Sequence, residues 1–363
     1  MKARGSRMEA DPSLLLTHVS NQPRATEWLN LQVALRRTPN TVAAYGRGLD
    51  DYLSFCSRTG IDPERASRSD IATYVHELAV RPPARGRSAV GLANATLCQR
   101  LTIIRLFYEH LVEEGVRPVN PVGHDSACGA ARRAMVQPQR RLPWIPSEDD
   151  WRAIVGAARE EPLRNRLMLA LAYDAALRRE ELCLLETGDF DPAHRTLTLR
   201  AETTKTKRAR CLPYSAATAE LFAAYLPERR ALATTRGPLF LSTSTRNRAT
   251  PISKWSWSKI VRALGLRAGV PKLTTHSFRH LCLTDLARAG WDIHEIASFA
   301  GHRSLQSTLL YIHLSAPAIS QASSRAAWPP FMMSAWRCCS SACHDLQGAC
   351  ERARKRCAVL FDR

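Results

Sequence analysis

The chain has 363 residues, of which 45% are hydrophobic and 23% are charged, as is ordinary for a globular protein. This length exceeds one typical domain core and therefore predicts two domains. Lysine and arginine number 52 against 33 aspartate and glutamate residues, and the resulting net charge of +19 favours a polyanionic partner. The apolar run at 167–173 is too short to span a bilayer, and Glu9 and Asp11 interrupt any signal-like segment. We therefore expect a cytoplasmic or nucleoid-associated protein with no membrane partner.

The N-terminal third is predicted to be helical. Residues 1–24 show no clear hydrophobic period and are expected to form a flexible arm. Residues 25–116 are expected to form a compact domain of about four helices. One of these helices has Thr38 as its cap and Pro39 at its first position, and Gly60 ends it. Two further helical patterns occupy 67–80, which opens on a Ser-x-x-Asp start signal, and 94–115.

A second domain is predicted at 144–328, after a basic linker at 117–143 that is rich in proline, glycine, alanine and arginine. Ser147 and Asp150 give its first helix a capping signal. A long helical pattern then runs from 165 to 188.

Alternation of period two follows this helical pattern. Leu197 and Leu199 on one side, and Cys211 with Leu212 on the other, predict two strands around a basic hairpin. The remainder to about 326 is predicted to be helical. The expected fold class is therefore mainly α, with a small antiparallel β-sheet in the C-terminal domain.

Several polar side chains of the second domain stand where a helical stripe does not require them. These residues are Arg178, Lys205, His276, Arg279, His302 and Tyr311. Two arginines can clamp the oxygens of a phosphodiester and stabilise the charge of a pentavalent transition state. A lysine whose pKa is lowered by neighbouring cations can protonate the leaving oxygen, and imidazoles can assist. A tyrosine whose phenolate is stabilised by arginines can act as the nucleophile.

The order of these residues resembles the tyrosine recombinase (phage integrase) family. The segment "ALRREEL" is similar to the family's first arginine motif, with Arg178 as the catalytic arginine and Glu181 as its acidic neighbour. The family's remaining motifs match the hairpin lysine, "HSFRH", "AGH" and "YIH". The resemblance covers roughly residues 25–320, and five motifs in order at compatible spacing are specific.

The resemblance implies a two-domain DNA clamp with a SAM-like core-binding domain at 25–116 and a catalytic domain at 144–328. It implies that Tyr311 attacks the scissile phosphate, leaving a 3′-phosphotyrosine and a 5′-hydroxyl. It also implies that Arg178 and Arg279 hold the phosphate with the assistance of His276 and His302. Lys205 is implied as the general acid that protonates the leaving oxygen. No metal, ATP or other cofactor is implied. The implied partners are double-stranded recombination sites and further copies of the chain, as a tetramer on DNA and a dimer or monomer off it.

The sequence also departs from the family pattern. Ala176 stands where the family often has glycine, and Ala300 where leucine is common. The hairpin lacks the family's frequent glycines and offers Lys207 as a rival to Lys205. His280 is interpreted as an ordinary helix N-terminal histidine. Two alternative functions stay open: a type IB topoisomerase-like nicking and resealing enzyme, and a DNA-binding relative without catalysis.

The C-terminal end falls outside the resemblance. Residues 315–327 suit the helix that packs on a neighbouring protomer in the family. Residues 329–363 are rich in cysteine and basic residues, and their cysteine spacing does not form the usual zinc pattern with His344. A poorly ordered tail is therefore expected.

Overall fold

The chain divides into two compact units, Met1–Arg141 and Leu142–Arg363. The computed structural model describes residues 16–82, 91–123, 135–139, 142–312 and 314. Most of the expected arm and about half of the expected linker lie outside these residues, as do the expected protomer-packing helix and the cysteine-rich tail. In the described ranges, no helix combines the length and the apolar character that a membrane crossing requires.

Within its described residues, the first unit has helices and no strands, joined by turns and loops. Its helices are α1 (Thr17–Ser20), α2 (Pro23–Ala34), α3 (Pro39–Thr59), α4 (Arg68–Val80) and α5 (Asn94–Glu113). Large aromatic side chains with at most 2% of their surface exposed fill the core between these helices, namely Trp28, Tyr52, Phe55, Tyr74, Phe107 and Tyr108. Three of these helices, α3 to α5, lie wholly within residues 25–116, and α2 lies within that range except for its first two residues, so the helix number is close to the four that the sequence pattern predicts there.

The predicted caps position α3 and α4. The Thr38 hydroxyl accepts a hydrogen bond from the backbone N–H of Thr41, and Gly60 ends α3 with a left-handed φ of 69°. Ser67 and Asp70 form the reciprocal hydrogen bonds of a capping box at the start of α4. These local signals are confirmed.

Residues 17–24 differ from the flexible arm that the sequence predicts. They contain all of α1 and the start of α2. The reason is a tertiary contact, since the carboxylate of Asp50 accepts hydrogen bonds from the backbone N–H groups of His18 and Val19 at 2.9 and 3.1 Å. A carboxylate 31 residues away therefore caps α1, and no local periodicity can reveal such a partner.

The second unit combines helices with one small sheet. Its helices are α6 (Glu148–Ala158), α7 (Leu163–Asp174), α8 (Arg179–Cys183), α9 (Ala216–Leu232), α10 (Lys254–Arg267), α11 (Thr275–Arg288) and α12 (Ile293–Ala300), followed by helical residues 306–312. The strands are β1 (Phe190–Asp191), β2 (Thr196–Leu199) and β3 (Arg210–Pro213). All neighbouring strands pair antiparallel, and Leu197 lies opposite Leu212. The predicted class of a mainly α protein with a small antiparallel sheet is confirmed.

The predicted continuous helix at 165–188 is wrong. Helix α7 stops at Asp174, and α8 starts only at Arg179. Between them Ala176 is fully buried and has a φ of 46°, a left-handed conformation that alanine rarely adopts. Alanine favours helices, so the local pattern predicts the wrong structure here, and tertiary hydrogen bonds determine the turn.

The β2–β3 connection forms the basic hairpin predicted from the sequence. The hydroxyl of Thr204 donates to the carbonyl of Arg208 and accepts from its N–H, and this side chain is buried. Lys205 and Lys207 flank the turn and are exposed. The inner face of the sheet carries Leu197, Leu199 and Leu212, whereas Cys211 is exposed.

Candidate active site

Arg178 lies at the start of α8, directly after the Ala176 turn. Its Nη1 donates to Glu181 at 2.8 Å, and its Nη2 donates to the carbonyl of Gly301 at 2.9 Å. The backbone N–H of Arg178 also donates to Glu181, which closes the first turn of α8. The turn therefore places the guanidinium between Glu181 of α8 and the end of α12.

Arg279 is the buried centre of the site, with 4% of its surface exposed. Its guanidinium donates to the carbonyls of Ala176 and Ala300 and to Nε2 of His302, the last at 3.0 Å. Burial, followed by the charge of Arg178, lowers the pKa of Arg279 to about 10. The group therefore stays positively charged at neutral pH, and acceptors in two segments of the chain, the Ala176 turn and residues 300–302, fix its orientation.

His302 follows Gly301, which ends α12 with a left-handed φ of 62°. Because Arg279 has only donors, Nε2 of His302 accepts the hydrogen bond from that guanidinium. Nδ1 lies 2.9 Å from the hydroxyl of Thr308, so this assignment places the imidazole proton on Nδ1 as the donor to Thr308. Burial, together with the charge of Arg279, lowers the pKa of His302 to about 3. The ring is neutral, and both of its nitrogens are engaged.

Tyr311 lies in the helical segment 306–312, and only 3% of its surface is exposed. Its hydroxyl oxygen is 2.9 Å from Nδ1 of His280, and its ring stacks on that of His302 with an interplanar angle of 10°. Burial raises the pKa of Tyr311, while the positive charges of Arg279 and Arg178 act in the opposite direction. The phenol therefore carries its proton at neutral pH and contacts an imidazole nitrogen.

Glu181 and Arg210 complete the charge arrangement. The Glu181 carboxylate is 1% exposed and accepts from Arg210 Nη2 at 2.8 Å as well as from Arg178. Burial alone would raise the pKa of Glu181, but Arg210 and Arg178 outweigh it and the pKa is lowered. The cluster thus contains three guanidinium groups, one carboxylate, and the imidazoles of His302 and His280, whose pKa values are lowered to about 3 and about 4. This composition leaves an excess of positive charge suited to a phosphate.

Two of the predicted site residues lie outside this hydrogen-bonded cluster. His276 is exposed at the start of α11, where partial desolvation and then Arg279 lower its pKa. Lys205 is exposed in the β2–β3 turn, and within the described residues no hydrogen bond or ion pair links it to the cluster. The turn itself is tethered, since Arg303 Nη2 donates to the Thr206 carbonyl at 3.2 Å. The structure thus brings together Arg178, Arg279, His302 and Tyr311 and leaves His276 and Lys205 outside their hydrogen-bonded cluster.

Residues 146–317 match the Phage integrase family, and residues 26–115 match the Phage integrase, N-terminal SAM-like domain. The chain belongs to the phage integrase family, the tyrosine recombinases of site-specific recombination. Curated relatives include the tyrosine recombinase XerC of Mycobacterium sp. (strain KMS), 28% identical over 287 residues, covering 77% of this chain and 89% of the relative. XerC of Thermodesulfovibrio yellowstonii is 26% identical over 300 residues, covering 80% and 91% of the two chains.

Solved tyrosine recombinases share the fold of this integrase family member. The XerH site-specific recombinase bound to a palindromic difH substrate in a post-cleavage complex superposes with a TM-score of 0.64 at 16% identity, covering 88% of this chain and 91% of that chain. A lambda integrase (75–356) dimer bound to a COC′ core site gives 0.59 at 17% identity, covering 79% and 93%. At such identities the likeness is one of fold.

Three residues of this recombinase cluster were missed by the sequence reasoning. His280 was interpreted as an ordinary helix N-terminal histidine, yet its Nδ1 contacts the Tyr311 hydroxyl. Arg210 lies at the end of the basic hairpin and was not singled out from the sequence, although it pairs with Glu181. Its spacing of two from the inward-facing Leu212 was the available signal, because alternate strand residues share a face. Nothing local marks Thr308 as the partner of His302.

Proposed function

We propose that this integrase cuts and rejoins DNA strands through a covalent 3′-phosphotyrosine on Tyr311, without metal or ATP. The observation that carries this proposal is the arrangement of Tyr311, His302 and Arg279. The His302 ring stacks on Tyr311 and accepts a hydrogen bond from Arg279, so nucleophile and phosphate-binding group share one neighbour. A phosphodiester held by Arg279 would thus lie within reach of the phenol oxygen.

Charge complementarity supports the same chemistry. Attack on a phosphodiester gathers a second negative charge on its non-bridging oxygens. Arg178 and Arg279 face this charge with rigid guanidinium forks, and Arg210 neutralises the carboxylate of Glu181 that would otherwise repel it. This guanidinium arrangement would serve the purpose that divalent cations serve in many nucleases.

The remaining roles follow from position. His302 and His276 would assist in holding the phosphate beside the two arginines. Lys205 would protonate the leaving 5′-oxygen. Its turn is held by a hydrogen bond from Arg303, the residue after His302, to the carbonyl of Thr206. Lys207, at the other side of the same turn, is the alternative acid. Because the phosphotyrosine retains the energy of the broken ester, a 5′-hydroxyl can reverse the step without ATP.

Double-stranded recombination sites are the proposed substrate. The XerH and lambda integrase structures hold a difH substrate and a COC′ core site, and the net charge of +19 suits such a partner here. Exchange between two duplexes requires several active sites, so we propose that the chain assembles as a tetramer on DNA and is a dimer or monomer off it.

Covalent trapping tests the proposal. The full-length chain would be incubated in EDTA with a pool of nicked duplexes whose core sequence is randomised, and the DNA that stays linked to protein after denaturation would be sequenced. We expect adducts on a defined sequence from the wild type and none from Tyr311→Phe. The variant Tyr214→Phe is the matched control, because Tyr214 is a buried tyrosine of the β-sheet region and lies outside the cluster.

Absence of an adduct from the wild type, or an equal adduct from Tyr311→Phe, would contradict the proposal. Loss of all cleavage on adding EDTA would indicate a metal-dependent nuclease instead. The selected duplex would then be placed twice on one plasmid. Recombination between the two copies distinguishes a recombinase from a topoisomerase-like enzyme, which would only nick and reseal.

A further inference from the structure

The Tyr311 nucleophile must lose its proton to attack phosphorus, and three histidines lie near enough to be considered as acceptors. Ring nitrogens accept a proton only if a lone pair is free or already points at the donor. The hydrogen-bond partners of each ring therefore decide between them.

His302 is unsuited to accept this proton. Its Nε2 already accepts from the Arg279 guanidinium, and its Nδ1 carries the proton that is donated to Thr308. Its ring faces Tyr311 by stacking, with centroids 6.1 Å apart, so neither nitrogen points at the phenol oxygen. The position of His302 suits binding of phosphate, not removal of the tyrosine proton.

His276 is also poorly placed. Its Nδ1 contacts the hydroxyl of its neighbour Thr275 at 3.4 Å, and its ring centroid lies 6.3 Å from that of His280. In the described part of the chain no hydrogen bond joins His276 to Tyr311. The exposed edge of this ring faces solvent at the start of α11.

His280 has the required contact. Its Nδ1 is 2.9 Å from the Tyr311 hydroxyl, one α-helical turn after His276 on α11. A protonated phenol donates to an unprotonated Nδ1, which leaves the ring proton of neutral His280 on Nε2. The proton to be transferred therefore already lies in a hydrogen bond to this nitrogen.

We propose that His280 is the general base that takes the Tyr311 proton. This inference rests on the proposed function and adds a catalytic residue to it. The Tyr311 O–H proton passes to Nδ1 of His280, and the phenolate oxygen forms a bond to phosphorus. The bond between phosphorus and the 5′-oxygen breaks, and that oxygen takes a proton from the acid. In the rejoining step a 5′-hydroxyl gives its proton to the deprotonated acid, and its oxygen forms a bond to phosphorus. The bond from phosphorus to the tyrosine oxygen breaks, and His280 returns the proton to that oxygen.

The surroundings of His280 make this transfer dependent on the DNA phosphate. Burial, His276 and Arg279 lower the pKa of His280 to about 4, so the free protein does not ionise Tyr311. The groups facing the ring are His276 and Arg279 on α11 and Tyr311 and His302 from the chain beyond α12. A bound phosphodiester adds negative charge among these groups and raises the proton affinity of the imidazole. Activation of the nucleophile is thereby coupled to occupancy of the site.

Single-turnover adduct formation on the selected duplex tests this role. His280→Asn keeps a hydrogen-bond acceptor near the place of Nδ1 but cannot take a proton, and His280→Ala removes both. General base catalysis contributes about 10²- to 10⁴-fold, so we expect both variants to lose at least about 100-fold in rate. His294→Asn, which changes an exposed histidine of α12, should keep the wild-type rate. Thermal unfolding of each variant shows that it is folded.

A duplex with sulfur in place of the 5′-bridging oxygen separates base from acid, because a thiolate leaves without protonation. This substrate should restore Lys205→Ala, which lacks the acid, but leave both His280 variants slow. The role of His280 would be overturned if His280→Asn reacted within a few-fold of the wild-type rate, or if the sulfur substrate restored the His280 variants. Either result would leave the proposed function standing. Absence of an adduct from the wild type would overturn the proposed function and this inference with it.

Discussion

The buried carboxylate of Glu181 accepts a hydrogen bond from Arg210 Nη2 at 2.8 Å, across 29 residues of sequence. The same carboxylate holds Arg178, so Arg210 acts through Glu181 on the arginine that we propose to bind the phosphate. An unpaired carboxylate in a buried site is costly and would also oppose an incoming phosphate. Arg210 is therefore a positioning residue of the integrase site, although it belongs to the sheet.

Replacement of Arg210 by glutamine should destabilise the second unit by about 3–5 kcal/mol, because it leaves a buried carboxylate with one fewer cation. The double variant Arg210→Gln/Glu181→Gln should lose less stability than the two single losses combined, since no buried carboxylate with too few cations is left. Urea denaturation measures these free energies of unfolding. Arg208→Gln, at an exposed position two residues earlier, is the control and should change stability by less than about 0.5 kcal/mol. Additive losses in the double variant would contradict the coupling.

Gly301 should tolerate alanine less well than Gly290 does. Both glycines have left-handed backbones, with φ of 62° and 83°, so alanine costs about 1–2 kcal/mol at either position. A Cβ at Gly301 would lie 2.7 Å from a guanidinium nitrogen of Arg210, whereas one at Gly290 meets nothing within 4 Å. We expect Gly301→Ala to displace Arg210 and to slow adduct formation at least about tenfold. This corresponds to an increase of about 1.4 kcal/mol in the activation free energy. Equal adduct rates for the two alanine variants would show that Arg210 adapts without consequence.

The sequence was sufficient for the elements whose determinants are local. The caps at Thr38, Ser67 and Ser147 place helix starts correctly, because each involves groups within three residues of one another. The alternation around Leu197 likewise places β2 in the sheet. The polar residues that match the family motifs could also be named, since their order along the chain is itself the signal.

What the sequence could not predict depends on contacts between distant segments. The Ala176 turn is determined by the Arg279 side chain that binds its carbonyl, 103 residues away. The contact of His280 with Tyr311 spans 31 residues, and the Asp50 cap of α1 spans a similar distance. Helix periodicity describes neighbours on one helix, so it cannot identify a hydrogen bond between two helices.

The left-handed turn at Ala176 predicts an unusual response to glycine. Ala176→Gly and Ala170→Gly remove the same fully buried methyl group and add the same backbone freedom to the unfolded chain. Ala170 lies within α7, whereas Ala176 has a φ of 46°. Glycine at position 176 relieves the strain of a left-handed alanine, about 1–2 kcal/mol, whereas glycine at position 170 relieves none. The Ala170 variant should therefore lose about 1–2 kcal/mol more stability than the Ala176 variant. Denaturant unfolding measures both, and equal losses would show that the turn is not strained.

The low pKa of His302 predicts that the second unit loses stability in mild acid. The pKa falls from 6.5 to about 3 on folding, so the unfolded chain binds more protons than the folded chain between these values. The free energy of unfolding should therefore decrease as the pH falls below about 6.5, by about 1–2 kcal/mol near pH 5 for this group. Hydrogen exchange of α11 and α12 peptides, corrected for intrinsic rates, follows this opening. His302→Gln should reduce the pH dependence to the part contributed by His280 and His276, whose pKa values are also lowered, and His294→Gln should leave it unchanged. A slope as steep in His302→Gln as in the wild type would assign the proton uptake to other groups.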